Sequence, residues 1–268
     1  MSTTESSNLA KTYQQKTDKQ HVLDNPDTYT GPMEKTEYHT YIYDDETSRI
    51  IPKTLEIIPG LYKLFDEGIV NCRDHVKRME ASICKNMKDI IPVTKININI
   101  SDDGTITMRN DGNGIDVVKH PEHDIWIPEM IFGHLRTSTN YNKDDEDCIG
   151  GKNGFGFKLV LIWSSYGKVE TIDHVRGLSY TQEFTNNLTD IKPPIITKCK
   201  KKPYTEVTFK PDYKRLGMSK LSNDMISLFK RRVYDIAAVT DNKVRVSLNG
   251  EIIPVNNYQN YIDKFIGS

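Results

Sequence analysis

A glycine-rich stretch near the middle of the chain has the residue types of an anion-binding loop. Residues 148–158 read Cys-Ile-Gly-Gly-Lys-Asn-Gly-Phe-Gly-Phe-Lys, just before an apolar run at 159–163. Glycines let backbone N–H groups approach a ligand closely, and a helix that begins after such a loop favours phosphate. Lys158 adds a cation where the helix dipole alone disfavours one, which a bound anion would explain. An ordinary flexible turn is the alternative, because the spacing matches neither the P-loop nor the dinucleotide fingerprint.

A second set of polar residues follows one face of a predicted helix. The apolar residues of 61–79 recur with helical spacing, and Glu67, Asn71, Asp74 and Arg78 form a line on the opposite side. Such a line usually faces water. It can also face a ligand, when the helix packs its apolar side on a sheet.

A third polar site ends a predicted strand. Residues 95–100 alternate strictly, Asp102-Asp103-Gly104 is a turn, and residues 105–109 alternate again before Asn110-Asp-Gly-Asn-Gly-Ile115. The other predicted strands are 38–43, 54–58, 168–172, 179–184, 205–210, 243–248 and 251–255, and the other predicted helices are 13–23, 128–135, 158–165 and 222–240. The order predicts an α+β fold with one mixed, mostly antiparallel sheet and helices on one face.

Composition excludes several classes of protein. The net charge is −1, so no global field indicates nucleic acid or a membrane, although Lys198, Lys200–Lys202 and Lys230–Arg232 are local basic clusters. The four cysteines are scattered, which argues for a reducing compartment and against structural zinc. No apolar stretch reaches 18 residues, so we expect a soluble, intracellular protein.

The three polar sites together resemble the GHKL (Bergerat) nucleotide fold of gyrase, the heat-shock chaperone, histidine kinases and MutL. The motifs are Glu-x-x-x-Asn at 67–71, Asn-Asp-Gly-x-Gly-Ile at 110–115 and Gly-Gly-x-Asn-Gly-x-Gly at 150–156. The chain is most similar to the N-terminal ATPase region of eukaryotic-type DNA topoisomerase II. Further motifs that carry this resemblance lie at 13–17, 26–29, 65–71, 127–135, 137–141, 150–158 and 231–236.

The resemblance implies a Mg²⁺-dependent ATP site with Glu67 as its catalytic residue. Glu67 would be the general base that polarises the water attacking the γ-phosphate, and Asn71 would hold the metal ion through its amide oxygen. Asn110 would bind the adenine edge, in place of the Asp of the wider superfamily. The remaining nucleotide-binding residues that the resemblance implies are His75, Asp111, Gly114, Ile115, Ser138, Thr139, Asn140, Gly151, Lys152, Asn153, Gly154, Phe155, Gly156, Phe157 and Lys158.

The resemblance also implies a domain plan and partners. We expect a disordered tail at 1–11, a dimerisation strap at 12–32 with Tyr13 and Tyr29, the ATPase domain at 33–240, and the truncated start of a transducer domain at 241–268. ATP would close a homodimer, and the full-length enzyme would act on duplex DNA, with little DNA contact by this domain alone. The expected location is the nucleus for a cellular enzyme, or the host cytoplasm, viral factory or virion for a viral one.

Several positions depart from the family pattern. The family commonly has Asn at His75, Ala at Arg73, Tyr at Phe155 and Ala at Phe157, which indicates a divergent member. His75 would make its contact pH-sensitive. The transducer lysine that reaches the γ-phosphate is missing, so we expect weak hydrolysis by this chain alone. The alternatives are an ATP-dependent dimerisation module with negligible hydrolysis, or a MutL-like or chaperone-like GHKL ATPase.

Overall fold

The fold is built on a long helix and a broad sheet. A computed structural model describes residues 17–135, 156–255 and 257–267. The helices are α1 (Asp18–Asp24), α2 (Pro59–Cys84), α3 (Ile127–Gly133), α4 (Gly156–Ile162), α5 (Asn223–Ala238) and α6 (Tyr258–Ile266), with a short 3-10 turn at Pro26–Thr28. The strands are β1 (Thr36–Asp44), β2 (Arg49–Ile57), β3 (Lys95–Ile100), β4 (Ile106–Asp111), β5 (Ser164–Asp173), β6 (Leu178–Thr185), β7 (Asp190–Ile191), β8 (Ile195–Lys198), β9 (Tyr204–Pro211), β10 (Arg245–Leu248) and β11 (Glu251–Ile252).

The main sheet is mostly antiparallel, as predicted. Its strand order is β11-β10-β3-β4-β9-β5-β6-β7, with β8 on the other part of β6. Only β10 and β3 run parallel among these described strands. Strand β10 lies within the segment that the resemblance assigns to a transducer domain, yet it pairs directly with β3 of the ATPase sheet.

The expectation of a single sheet is wrong in one respect. Strands β1 and β2 pair with each other over nine residues and form a separate two-stranded sheet. This hairpin packs on α5, where the rings of Tyr43 and Tyr234 stack with centroids 4.2 Å apart. Sequence periodicity identified both strands but could not show which partner they take, because strand pairing depends on contacts distant in the sequence.

The core lies between the main sheet and the helices. Alternate residues of β4 such as Ile106 and Met108 are buried, while Arg109 and Glu206 of the neighbouring β9 contact each other on the polar face. Helix α2 crosses the buried face, and Phe65 stacks on Phe229 of α5 with ring centroids 4.1 Å apart. This packing fixes the polar line of α2 relative to the end of β4.

Helix α2 lies close to its neighbours because of a glycine. A Cβ at Gly68 would collide with the sulfur of Met108 on β4 and lie 3.3 Å from the ring of Phe157 on α4. The absence of a side chain therefore brings α2, β4 and α4 together at one point. None of the helices in the described ranges is both long and apolar enough to cross a membrane.

Candidate active site

The polar residues of α2 meet the first residue of α4. A Cβ at Gly156 would collide with Oε2 of Glu67 and lie 4.0 Å from Nδ2 of Asn71. Gly156 is the end of the glycine-rich stretch, and Glu67 and Asn71 lie one turn apart on α2. The structure therefore brings together two motifs that are separated by more than eighty residues.

The Glu67 carboxylate is paired with a lysine of its own helix. Its Oε1 lies 2.6 Å from Nζ of Lys63, and the Glu67 side chain is 20% exposed. Asp66, the neighbour of Glu67, lies 3.9 Å from the same lysine and is bound more closely by Arg232 of α5, at 2.6 Å. The two carboxylates thus have different surroundings, because Asp66 ties α2 to α5 whereas Glu67 faces α4 with a half-exposed partner.

Lys158 follows two residues after Gly156 and is buried. Burial lowers the pKa of its ammonium group to about 8. Desolvation disfavours the charged form, and an anion beside it would restore that form. We call Lys63, Glu67, Asn71, Gly156 and Lys158 the helix-side cluster.

Asn110 lies at the buried end of β4, on the same side of the sheet as α2. Its side chain donates a hydrogen bond to the Asp111 carbonyl at 2.9 Å. Asp111 itself is turned toward β3: its carboxylate accepts hydrogen bonds from the backbone N–H groups of Thr94 and Lys95 at 2.7 and 2.8 Å. Asp111 therefore fixes the start of β3 in this structure.

The glycines after Asn110 allow close approaches that another residue would prevent. Gly112 has a φ of +92°, and a Cβ there would lie 2.7 Å from Val93 and 3.4 Å from Nε2 of His75. A Cβ at Gly114 would collide with the carbonyl group of Ile172 on β5. The turn is therefore in direct contact with both α2 and β5.

His75 contributes a buried polar atom to this region. Its Nε2 has no hydrogen-bond partner among the described residues. Burial, with the charge of Arg78, lowers its pKa to about 4, although the backbone of Asn113 acts in the opposite direction. His75 is therefore neutral near pH 7, and the pH sensitivity that the sequence predicts for its contact stays a prediction, which burial moves to acid pH.

Two β5 side chains that sequence analysis missed hold the glycine turn. The hydroxyl of Thr171 accepts a hydrogen bond from the N–H of Ile115 at 2.9 Å, and Asp173 accepts one from the N–H of Val117 at 2.9 Å. Both side chains are buried. The only signal in the sequence is a polar residue at an inward-facing position of an alternating strand. We call His75, Asn110, Gly112, Gly114 and Thr171 the sheet-side cluster.

The strap residue Tyr29 contacts its own chain. Its hydroxyl lies 2.9 Å from Nδ1 of His21 on α1, and Val22 of α1 is completely buried in the core. The described part of the strap, from residue 17 onward, thus packs on this chain's own body. The remaining site residues implied by the sequence lie outside the described residues: Tyr13, Ser138, Thr139, Asn140, Gly151, Lys152, Asn153, Gly154 and Phe155.

One of the two basic clusters is neutralised within the chain. Lys230 contacts Asp45, Arg231 lies 3.1 Å from Asp235, and Arg232 binds Asp66. Lys198 and Lys200–Lys202 are exposed. Only the latter cluster presents free basic side chains in the part of the chain that is described.

Comparison with known proteins identifies close relatives. The chain is 42% identical to DNA topoisomerase 2 of Acanthamoeba polyphaga mimivirus over 259 residues, and 42% identical to that of Saccharomyces cerevisiae over 268 residues. These matches cover 95% and 99% of this chain, but only 20% and 18% of the relatives. The chain therefore spans about a fifth of the length of these relatives. No protein-family model matches it.

Solved structures of topoisomerase II also match this chain. The crystal structure of the ATPase region of Saccharomyces cerevisiae topoisomerase II superposes with a TM-score of 0.89 and 41% identity, covering 96% of this chain and 65% of that one. The ATPase and transducer domains of DNA topoisomerase II from Balamuthia mandrillaris give a TM-score of 0.86 and 36% identity, covering 95% and 63%. Sequence and fold agree, and the chain belongs to the DNA topoisomerase II family, within its ATPase region.

Proposed function

We propose that this chain binds and hydrolyses ATP between α2 and α4, as the ATP-operated gate of a type II DNA topoisomerase. The observation that carries the proposal is the contact of Gly156 with Glu67 and Asn71. A carboxylate, an amide and the last glycine of the glycine-rich stretch meet at this point, and the same helix carries His75, which lies against Gly112 of the turn after Asn110. Phosphoryl transfer requires mainly positioning and charge stabilisation, which this arrangement supplies.

At the helix-side cluster, each side chain has one proposed task. The Glu67 carboxylate accepts a hydrogen bond from the attacking water and takes its proton. Asn71 would hold a magnesium ion through its amide oxygen, and that ion would supply positive charge to the phosphate. Lys158 contributes its positive charge to the phosphate oxygens, which fits a buried ammonium whose pKa is lowered to about 8 in their absence.

At the sheet-side cluster, the chain is suited to a purine. Asn110 has two N–H donors and two acceptor lone pairs, of which one N–H is used by the Asp111 carbonyl. Gly112 and Gly114 allow the backbone to approach a flat ring, and the buried Nε2 of His75 offers a further polar contact. An unpartnered buried nitrogen is costly, so a ligand group that reaches it would stabilise the complex.

Partners follow from the family. We infer that ATP closes a homodimer through residues 12–32, and that the longer protein passes one DNA duplex through another. Within the described part of this chain, Lys198 and Lys200–Lys202 are an exposed basic cluster that could make weak DNA contact. The similarity to topoisomerase II favours this reading over a MutL-like or chaperone-like ATPase.

One observation favours a second candidate function, a nucleotide-operated dimerisation module with very slow hydrolysis. The Glu67 carboxylate is 2.6 Å from the Lys63 ammonium. A carboxylate oxygen that is already bound by an ammonium group is less available to accept a hydrogen bond from water. Unless ATP separates this pair, Glu67 would bind and orient water poorly.

The test measures binding, dimerisation and turnover separately. A non-hydrolysable ATP analogue with Mg²⁺ should bind, and light scattering should show the mass doubling. The Glu67→Gln variant should bind the analogue normally and lose at least about 100-fold in turnover, the scale of a general base. Glu80→Gln is the matched control, because Glu80 is a lysine-paired carboxylate on the same helix, outside the site.

Each outcome separates the proposals. Normal binding and doubling with no turnover in the unmodified chain would support the dimerisation module and exclude hydrolysis by this chain. If the analogue binds but the mass does not double, the proposal that residues 12–32 close a homodimer is wrong. If the analogue does not bind, or if Glu67→Gln and Glu80→Gln behave alike, the assignment of this site is wrong.

A further inference from the structure

A closed loop between β4 and α3 lies apart from the clusters described above. Lys119 and Trp126 form a β-bridge at its base. Within it, the N–H of His120 donates to the Ile125 carbonyl at 2.8 Å, and the N–H of Asp124 donates to the His120 carbonyl at 3.0 Å. The loop is therefore a compact hydrogen-bonded turn that displays the side chains of residues 120–123 together.

Three of these side chains are metal-ligand types. One ligand atom from each of His120, Glu122 and His123 lies within 4.8 Å of the others. The two imidazole rings stack with centroids 4.7 Å apart and an angle of 23° between their planes. His120 is half-buried, while Glu122 and His123 are exposed, so an ion would enter directly from solvent.

We propose that this loop binds a divalent transition-metal ion such as Zn²⁺, with His120, Glu122 and His123 as ligands and water completing the site. Two imidazole nitrogens and one carboxylate are a ligand set that suits zinc, cobalt, nickel or copper rather than magnesium or calcium. Zinc–ligand bonds of about 2.0–2.2 Å place tetrahedral ligands roughly 3.4 Å apart. Separations of up to 4.8 Å require the side chains to close by up to about 1.4 Å, which rotation of the side chains allows.

The hydrogen bonds and charges around the loop are compatible with this assignment. Nδ1 of His120 accepts a hydrogen bond from the backbone N–H of Glu122 at 3.2 Å, so this nitrogen carries a lone pair. A metal ion would take that lone pair in place of the amide, or bind Nε2 of the other tautomer. Lys119, at the base of the loop, is already paired with Asp124 at 2.9 Å. Its charge therefore opposes an incoming cation only weakly.

A metal ion bound here would stabilise the loop and would take no part in the nucleotide chemistry. The N–H of Ile127, the first residue of α3, donates to the Val118 carbonyl at 2.9 Å, so the loop leads directly into that helix. A metal ion that holds His120 to His123 would restrict the turn and stabilise the folded state by mass action. Because it needs no ATP, the proposal can fail independently of the proposed function.

The experiment uses the full chain, stripped of metal and without nucleotide. Zn²⁺ alone is titrated by calorimetry, and the unfolding temperature is followed with and without Zn²⁺. We expect one zinc ion per chain and a rise in melting temperature of about 2 °C or more at saturating metal. His123→Ala and Glu122→Gln should each weaken binding at least tenfold, while His39→Ala, at an exposed histidine of β1, should change nothing.

A cobalt spectrum identifies the ligands. Co²⁺ bound by imidazole and carboxylate shows weak d–d bands without the strong thiolate charge-transfer band that a cysteine ligand gives. A thiolate band, equal binding by His123→Ala and the unmodified chain, or no binding at millimolar Zn²⁺ would each overturn the proposal. Because His123 and Glu122 are exposed, the metal-free variants should melt at the same temperature as the metal-free unmodified chain. Equal melting temperatures would exclude a folding defect as the cause of weaker binding.

Discussion

The two clusters of the candidate site are built in different ways. In the sheet-side cluster, Gly114 abuts the backbone of β5, and Thr171 holds the turn by hydrogen bonds. In the helix-side cluster, Gly156 abuts the flexible end of Glu67, whose carboxylate is paired with half-exposed Lys63. Folding alone therefore fixes the sheet-side geometry, whereas the helix-side geometry can adjust to a ligand. In the proposed function, the rigid cluster holds the base and the adaptable cluster holds the reacting phosphates.

The largest expected effect is that of Gly114→Ala. The new methyl group would collide with the Ile172 carbonyl, a backbone group that cannot rotate away, so we expect a loss of about 3 kcal/mol in the free energy of unfolding. Urea unfolding measures it. Gly156→Ala is the matched control, because Glu67 can swing aside; it should cost less than about 1 kcal/mol and instead reduce ATP turnover. Equal stability losses would contradict the contrast between the clusters.

The next effect is a dependence on pH. Burial lowers the pKa of His75 to about 4 in the folded chain, whereas an unfolded histidine titrates near about 6.5. Between these values the unfolded state binds more protons, so stability that is fully present above about pH 6.5 is lost as the pH falls toward 4. Between pH 7 and pH 5, we expect the original chain to lose roughly 2 kcal/mol more of its free energy of unfolding than the His75→Asn variant loses. Parallel stability curves for the two proteins would show that His75 is not buried as described.

Thr171→Val should have a moderate effect. The substitution keeps the shape but removes the acceptor for the Ile115 N–H and the contacts with the Tyr204 carbonyl and the Thr205 hydroxyl. A buried donor without a partner costs about 1.5 kcal/mol, measurable by urea unfolding. Thr171→Ser keeps the hydroxyl and should retain most of the stability. A valine variant as stable as the original would mean that water replaces the hydroxyl.

Lys63→Ala should have the smallest effect on stability. Lys63 is 43% exposed and pairs with Glu67 one turn away, an arrangement that contributes about 0.3–0.5 kcal/mol. Turnover is the sensitive measurement, because without Lys63 both carboxylate oxygens of Glu67 are available to water. A loss of more than about 1 kcal/mol in stability would place this pair among the structural contacts and weaken the contrast.

The local structure followed closely from the sequence. Strand β3 occupies the predicted residues 95–100, and the helices predicted at 61–79 and 222–240 are present as Pro59–Cys84 and Asn223–Ala238. Ser222 caps the latter, accepting the Met225 N–H at 3.2 Å. These features depend on periodicity and capping, which are determined by residues close together in the sequence. The three motifs, too, were visible as fixed patterns of residue types.

The tertiary structure decided which residues these elements meet. Sequence alone did not predict β7, β8 or α6, nor that β1 and β2 form their own sheet. It placed Asp74 on a polar line, but the side chain is 1% exposed. Thr171 binds a residue 56 positions away, and burial by surrounding elements lowers the pKa of His75. Local patterns set how a segment folds, but burial and partners depend on contacts between distant residues, and these determine the chemistry of the site.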